Sequence, residues 1–340
     1  MLFLTDKVDE YEAVAGRQDS NDEFRRVITM SGLFDSRFYS TQCPDVDLTK
    51  TDPVLHYLEH GALEGRNPSS LFDTAYYLEH NADVNESGMN PLIHYIMYGM
   101  TEGRSPFRCT SAELVKVRDW RRHFSKKLAG KGLEIGALHR PMVRHDGMDI
   151  DYIDRYAVAG LREHYPELND LPLVEADILG DAATLEGIDE NTYDFLISAH
   201  VIEHMRNPIQ AFEQWCRVVR PHGKIYLVVP DKRVTFDKHR ARTTLPHMVL
   251  DYRDPCAKRD YEHYLDFAYH VSHKKDAEEA LSHADHMVAI DYSIHFHVFI
   301  PCDVIELLRW ISTNIHRIEI LEGPCTAPRS DEFHFLVEVK

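Results

Sequence analysis

From Gly130 onward, short apolar runs alternate with amphipathic, helix-compatible stretches, and this alternation restricts the fold more than any other feature of the chain. Leu133-Glu134-Ile135 reads as a short strand ending in Gly136. Ile150 to Asp154 reads as a second strand, and Leu173 to Asp177 as a third. Tyr193 to Ala199 and Lys224 to Val229 follow as fourth and fifth, the last almost continuously apolar. The stretch Ile209 to Val219 has helical character, as does Val304 to Ile311. Arg317–Leu321 and Phe333–Val339 close the series as two further strands. Strands buried on both faces and separated by helices form a mostly parallel sheet of the α/β class.

A different organisation precedes it. Leu33-Phe34-Asp35 recurs as Leu71-Phe72-Asp73, and Tyr39 as Tyr77. Pro53-Val54-Leu55-His56-Tyr57-Leu58 returns as Pro91-Leu92-Ile93-His94-Tyr95-Ile96. Gly61, Gly65, Arg66 and Pro68 return as Gly99, Gly103, Arg104 and Pro106, at a constant offset of 38 residues. Asp52 and Asn90 suit helix N-caps, with Pro53 and Pro91 at the first helical position. Gly61 and Gly99 are expected to end those helices in a left-handed conformation. The sequence therefore predicts a helical segment over 1–32 and a small all-α module of two repeats over 33–107. A connecting helix is expected within 108–131, and the α/β domain over 132–340. Two repeats bury little on their own, so the module is expected to pack on a neighbour. As a plain scaffold it would leave His56, His60 and His94 as packing or surface residues.

The chain carries a net charge of −18 over 340 residues. Such a field repels polyanions over about a Debye length, which argues against extended binding to nucleic acid. No apolar run reaches the roughly 18 residues of a membrane span. The start, Met1-Leu2-Phe3-Leu4-Thr5, turns acidic at Asp6, unlike a secretory signal. Cys43, Cys109, Cys216, Cys256, Cys302 and Cys325 are widely spaced, as expected of reduced thiols in a cytoplasmic protein.

Chemistry concentrates at the strand ends. A cofactor can approach a backbone closely where no side chain intervenes, as at Gly136 and the adjoining Ala137, although a plain turn would look the same. Glu134 stands at the carboxyl end of the first strand. Asp154, eighteen residues beyond Gly136, can accept both hydroxyls of a ribose. Asp177, with Ile178, ends the third strand where an acid can accept an adenine amino group. Ser198 and His200 lie where the fourth strand gives way to its turn.

With the segment His200-Val201-Ile202-Glu203-His204, then Asn207-Pro208, and Pro230-Asp231-Lys232-Arg233 with Phe236-Asp237, residues 132–340 resemble the class I S-adenosylmethionine-dependent methyltransferases. The likeness is greatest to a subgroup encoded among genes for bacterial surface polysaccharides of the O-antigen type. The repeat over 31–107 is similar to one found in proteins that assemble such polysaccharides, often beside glycosyltransferase domains. The resemblance implies a Rossmann-like sheet of seven strands, with S-adenosylmethionine as cofactor and S-adenosylhomocysteine as product. It also implies a cofactor site at Glu134, Gly136, Ala137, Asp154, Asp177, Ile178 and Ser198. His139, Arg140 and Pro141 stand where the family's second and third glycines fall.

Residues 231–300 leave the end of the fifth strand and are expected to form a substrate cap, since long excursions over a site are more often functional than idle. Lys232, Arg233, Lys238, Arg240 and Arg242 make its opening basic, suited to a phosphate or carboxylate on the acceptor or to a solvated helix face. Nine of the 22 histidines fall in this stretch. His295 and His297 share one face of an extended segment, as two metal ligands, a base with its partner, or hydrogen-bonded core residues.

The expected activity is methyl transfer to a hydroxyl of a sugar or glycan. Other acceptors (a quinone, polyketide or amine) and an inactive cofactor-binding partner of a glycosyltransferase are the alternatives. His200 is the first candidate for the base, with Asp231, His295 and His297 behind it. Glu203 and His204 look more like helix-start residues. A glycosyltransferase partner, or self-association through the repeats, is also expected.

Overall fold

In a computed structural model, residues 20–31, 33–48, 50–69, 71–99, 102, 104–107, 119–274, 276–326 and 330–340 are described. The chain divides into two compact units, Met1–Thr110 with Thr244–Leu250, and Ser111–Thr243 with Asp251–Lys340.

In the first unit the repeat is built around a tyrosine. Asp52 caps the helix Pro53–His56, accepting from the N–H groups of Val54 and Leu55, and Asn90 does the same for Pro91–His94. Each helix then widens into a π-helical turn, Tyr57–Gly61 and Tyr95–Gly99. This corrects the expected left-handed caps: it is Gly65, at φ +72°, that takes the left-handed conformation. Gly61 has a different task, because a Cβ there would lie 1.9 Å from the Tyr39 hydroxyl; at Gly99 the distance to the Tyr77 hydroxyl is 2.1 Å. Both tyrosines are fully buried. Their hydroxyls bond His56 Nδ1 at 2.8 Å and His94 Nδ1 at 3.0 Å, while His60 is exposed. Tyr57 reaches from one repeat to Thr74 of the next at 3.2 Å.

The second unit contains one seven-stranded sheet. Its strands are β1 Gly130–Ile135, β2 Met148–Asp154, β3 Ile178–Leu179, β4 Tyr193–Ala199, β5 Val219–Pro230, β6 Ile318–Cys325 and β7 Glu332–Val339. Their order is β3-β2-β1-β4-β5-β7-β6, with β7 antiparallel to both neighbours and the other pairs parallel. This is a Rossmann-like, mostly parallel sheet of seven strands. Leu133, Leu196, Ile225 and Leu227 are fully buried, which explains the continuous apolar runs of the central strands. The helix Pro208–Val218 packs through Ile209, Phe212 and Trp215.

Two expectations need correction, and a third falls partly outside the described residues. The third strand is only Ile178–Leu179, so Asp177 precedes it rather than ending it. The segment before it runs without ladder partners apart from Asp177, whose N–H bonds the Tyr152 carbonyl. Of the expected connecting helix, residues 108–118 lie outside the described residues, and Trp120–Ser125 forms a short helix capped by Asp119. Among the cysteines, Cys43, Cys216, Cys256 and Cys325 are free, but Cys302 is disulfide-bonded. Spacing along the chain does not disclose which distant residues meet in space. Cys109 lies outside the described residues.

The insertion after β5 comprises a turn at Phe236–His239 and the helices Leu245–Arg253, Ala257–His270 and Ala277–Ala289, of which residues 244–250 group with the first unit. The last two helices form a hairpin around Tyr264, Ala268, Ala280, Ala284 and Met287. No described helix is long and apolar enough to cross a membrane.

A Gly61→Ala substitution should force the Tyr39 hydroxyl out of its place and destabilise the repeat unit by about 1–3 kcal/mol. Hydrogen-exchange mass spectrometry over residues 53–66 is the measurement. Protection equal to that of the unaltered chain would show that the close approach is not a constraint.

Candidate functional site

Parallel pairing brings the ends of β1, β2, β4 and β5 to a single rim. The register sets Ile135 beside both Ile153 and Ser198, so Gly136 and Asp154 leave the sheet side by side. Gly136 has φ +62°, and its N–H bonds the Ile153 carbonyl at 2.9 Å. A Cβ added there would meet only Val201 Cγ2 at 3.5 Å, so the space over it is open. Ala137 accepts from Arg140 N–H at 3.0 Å, which closes the turn.

Glu134 is buried and accepts from Met142 N–H at 2.8 and 3.1 Å, which ties the loop after Gly136 back to β1. Burial pushes its carboxyl up to about 7, against the opposing pull of that N–H. Asp154 is also raised by burial, although it accepts from Arg155 N–H at 2.7 Å. Ser198 is buried and its hydroxyl has no hydrogen-bond partner. On the far side, Asp177 accepts from Tyr152 N–H at 2.9 Å and Ile178 pairs with Ile153.

An open space over a left-handed glycine, a half-buried acid beside it and an unpartnered buried hydroxyl beneath fit a nucleoside-type cofactor with an amino-acid tail. Its ribose hydroxyls would meet Asp154, and Gly136 would line its closest approach. The residues present therefore fit S-adenosylmethionine.

His200 is the first residue beyond β4 and is held at φ +57°, its N–H bonded to the Val228 carbonyl at 2.9 Å. Its Nε2 lies 2.9 Å from Glu332 Oε2, and Arg121 grips the same carboxylate at 3.0 and 2.8 Å. Glu332 opens β7 and pairs with Pro230 at the end of β5; antiparallel pairing there returns the chain to the rim. Burial would lower the His200 pKa, but the Glu332 bond and the nearby Glu203 outweigh it and raise it. Glu332 is the converse: burial alone would raise it, and His200 and Arg121 hold it well below the usual carboxylate range.

The return of the insertion crosses this rim. Arg155 pairs with Asp291 at 2.5 Å, His297 N–H bonds the Glu203 carbonyl at 3.0 Å, and Asp231 bridges to Phe299. His295 is buried with Nδ1 2.6 Å from Asp237 Oδ2 and Nε2 3.9 Å from Glu203 Oε1. His297 is buried, its Nε2 3.3 Å from the Arg206 carbonyl. The two histidines therefore face different partners.

The basic opening of the insertion is matched internally. Arg233 pairs with Asp231 at 2.5 Å, and Arg240 is buried between Asp237 at 2.9 Å and Asp266 at 2.6 Å. Arg242 pairs with Asp303. Lys232 bonds the Lys238 carbonyl at 3.3 Å, and burial lowers its pKa. Glu332, Arg121, Asp237 and Asp266 were not singled out as site residues from the sequence. For Glu332 a signal existed: the first residue of a final strand antiparallel to β5 must sit at the rim.

Residues 129–227 match the family model for a methyltransferase domain. No curated protein sequence matches the chain. Among solved structures, a protein of Methanococcus maripaludis described as an S-adenosyl-L-methionine-dependent methyltransferase shows 15% identity over 65% of this chain and 83% of its own, with a TM-score of 0.30. A methyltransferase from an antibiotic biosynthesis pathway of Anabaena variabilis shows 18% identity over 62% and 66%, with a TM-score of 0.33. The plantazolicin methyltransferase, solved with S-adenosylhomocysteine, shows 16% over 65% and 79%, with a TM-score of 0.34. Likenesses at this level add nothing to the fold described above. The family match and the fitting residues make S-adenosylmethionine the cofactor of a methyltransferase domain here.

Two outcomes follow for this site. Because Glu332 ionises more readily folded than unfolded, its stabilisation is complete above about pH 4.3 and is lost as pH falls below that value. Glu332→Gln should therefore flatten the decline of the urea midpoint between about pH 5 and 3; an unaltered decline would remove Glu332 as its source. Asp154→Ala should weaken S-adenosylhomocysteine binding by about 1.5–3 kcal/mol, the loss of hydrogen bonds to a charged group. Gly136→Val should weaken it further by filling the open space. Calorimetry showing unchanged affinity in both would overturn the site.

Proposed function

We propose that the chain transfers a methyl group from S-adenosylmethionine to a hydroxyl of a sugar or glycan, in the synthesis of bacterial surface polysaccharide. The observation that carries this reading is His200, fixed at the end of β4 by Glu332 and Arg121 on the rim that holds Gly136 and Asp154. The cofactor supplies an electrophilic methyl carbon on a sulfonium. An alcohol attacking it must lose its proton, and a half-exposed imidazole whose tautomer is set by a carboxylate suits that task.

Asp154 and Gly136 position the cofactor, Ser198 offers its free hydroxyl, and Glu134 holds the loop. Asp177 and Ile178 border the adenine side. His200 takes the acceptor's proton at a ring nitrogen, with Glu332 stabilising the resulting imidazolium. Asp231, engaged by Arg233, is an orienting group on the same rim. The returning cap segment carries polar groups, His295 and Asp237, beside the buried Phe296 and Val298. A polar cap of this kind suits a hydroxyl-rich acceptor better than an apolar quinone or polyketide. With Arg233, Arg240 and Arg242 matched by carboxylates, Lys232 and the exposed Lys238 are left to meet an anionic group on that acceptor. The glycan assignment rests on the likeness of the motifs and of the repeat module to surface-polysaccharide proteins. The repeats would dock a glycosyltransferase or a second copy.

His200→Ala should slow single-turnover methylation by about 10²-fold or more, the usual contribution of a general base. Its affinity for S-adenosylhomocysteine should stay unchanged. Mass spectrometry with labelled cofactor and a panel of sugar acceptors supplies the assay. A rate near that of the unaltered enzyme would take the base role away from His200.

A further inference from the structure

Beside His200 the insertion and the turn after β4 assemble a second group that proton transfer does not require. Glu203 is completely buried, yet neither carboxylate oxygen has a hydrogen-bond donor. A carboxylate removed from water without donors is expensive, and natural structures supply a partner or a cation. Its nearest polar neighbours are imidazoles: His295 Nε2 at 3.9 Å and His200 Nδ1 at 3.8 Å. His204 stands edge-on to His295, with ring centroids 4.7 Å apart. One ligand atom each from Glu203, His204 and His295 lie within 4.8 Å of one another.

We infer that Glu203, His204 and His295 form a divalent transition-metal site adjoining the methyl-transfer site. The outer partners are those of a metal centre. His295 Nδ1 is bonded to Asp237 Oδ2 at 2.6 Å, and Asp237 is itself fixed by the buried Arg240. This is the carboxylate–histidine arrangement that orients a ligating imidazole and makes its other nitrogen the donor. His204 Nδ1 is bonded to Ser293 Oγ at 3.0 Å, which assigns Nε2 as its ligand atom. Side-chain rotations would have to draw the three atoms, now within 4.8 Å of one another, to the roughly 2.0–2.2 Å coordination distances of nitrogen and carboxylate oxygen.

Two imidazoles and one carboxylate select a first-row ion such as Mn²⁺, Co²⁺ or Zn²⁺ over Mg²⁺ or Ca²⁺, whose sites are built from oxygen. His204 keeps partial exposure, which would leave an ion there open to an acceptor. If the proposed function holds, on which this last step rests, an ion there would bind the acceptor hydroxyl and a neighbouring one, lowering the pKa of the first beside His200. That would restrict acceptors to those with adjacent hydroxyls.

The test uses the full chain, stripped with EDTA and titrated with Mn²⁺ while the free-ion paramagnetic resonance signal is recorded. About one equivalent should disappear per chain, and Co²⁺ added instead should develop visible d–d bands. Glu203→Gln and His295→Ala should abolish both signals. Asp237→Asn, acting only through His295, should weaken Mn²⁺ binding about 10–100-fold, the range for such outer partners. Calorimetry with S-adenosylhomocysteine on the same samples reports that each variant is folded. Unaltered Mn²⁺ and Co²⁺ signals up to millimolar concentration, in a chain that binds S-adenosylhomocysteine, would overturn the metal site and leave the proposed function standing. Binding that survives Glu203→Gln and His295→Ala would overturn it equally, by placing the ion elsewhere. Mn²⁺ binding in a chain that does not bind S-adenosylhomocysteine would confirm the site and remove the methyl-transfer reading.

Discussion

Parallel hydrogen bonding among β2, β1, β4 and β5 obliges the chain to leave each strand at the same edge of the sheet and return to the other edge through a helix. Four exits therefore crowd together: Gly136, Asp154, His200 and Asp231. None of these residues needs a long side chain to meet a common ligand, because the backbone ladder has already brought them together. The ladder is held by central strands buried on both faces, where a fully buried Leu or Ile is worth about 1.5–3 kcal/mol. The reversed strand β7 adds the one element that the parallel rule could not deliver, since its first residue, Glu332, arrives at the rim from the opposite direction.

Much of this arrangement is legible in the amino-acid order. Period and apolar density revealed six of the seven strands near their observed places, because burial on two faces writes itself directly into composition. The caps at Asp52 and Asn90 were equally readable, since they are contacts between residues two and three apart. The failures have a common physical origin. β3 makes two ladder pairs, too few for a local pattern to fix its limits. Gly61 and Gly99 look like helix stops in one dimension, whereas a tyrosine some twenty residues earlier dictates why nothing larger fits. Glu203 does lie in a short helical turn, Ile202–His204, as its neighbours in sequence indicate, but only the folded chain shows that its buried carboxylate lacks donors.

The insertion also shows how charge is arranged in a strongly acidic protein. Its cluster of lysine and arginine residues resembled an anion site, yet Arg233, Arg240 and Arg242 each face a carboxylate of this chain. Arg240 is the clearest case, with its guanidinium buried between Asp237 and Asp266 and donating to the His295 carbonyl at 2.8 Å. Removing one member of such a buried set leaves an uncompensated charge, which costs about 3–5 kcal/mol. Arg240 thus fixes where Asp237 and His295 stand, and the site's chemistry inherits its geometry.

His200 occupies left-handed backbone space at φ +57°, where glycine would rest without strain. A residue with a Cβ in that conformation costs of order 1 kcal/mol or more unless its surroundings hold it there. Folding by itself thus favours glycine or asparagine at this turn, and random replacement would drift toward them. On the proposed function, the imidazole bears that cost for what the ring does. On that reading, position 200 is accordingly where relief of backbone strain and loss of the base would arrive in the same substitution, the mark by which a lineage that had abandoned the chemistry could be told from one that kept it.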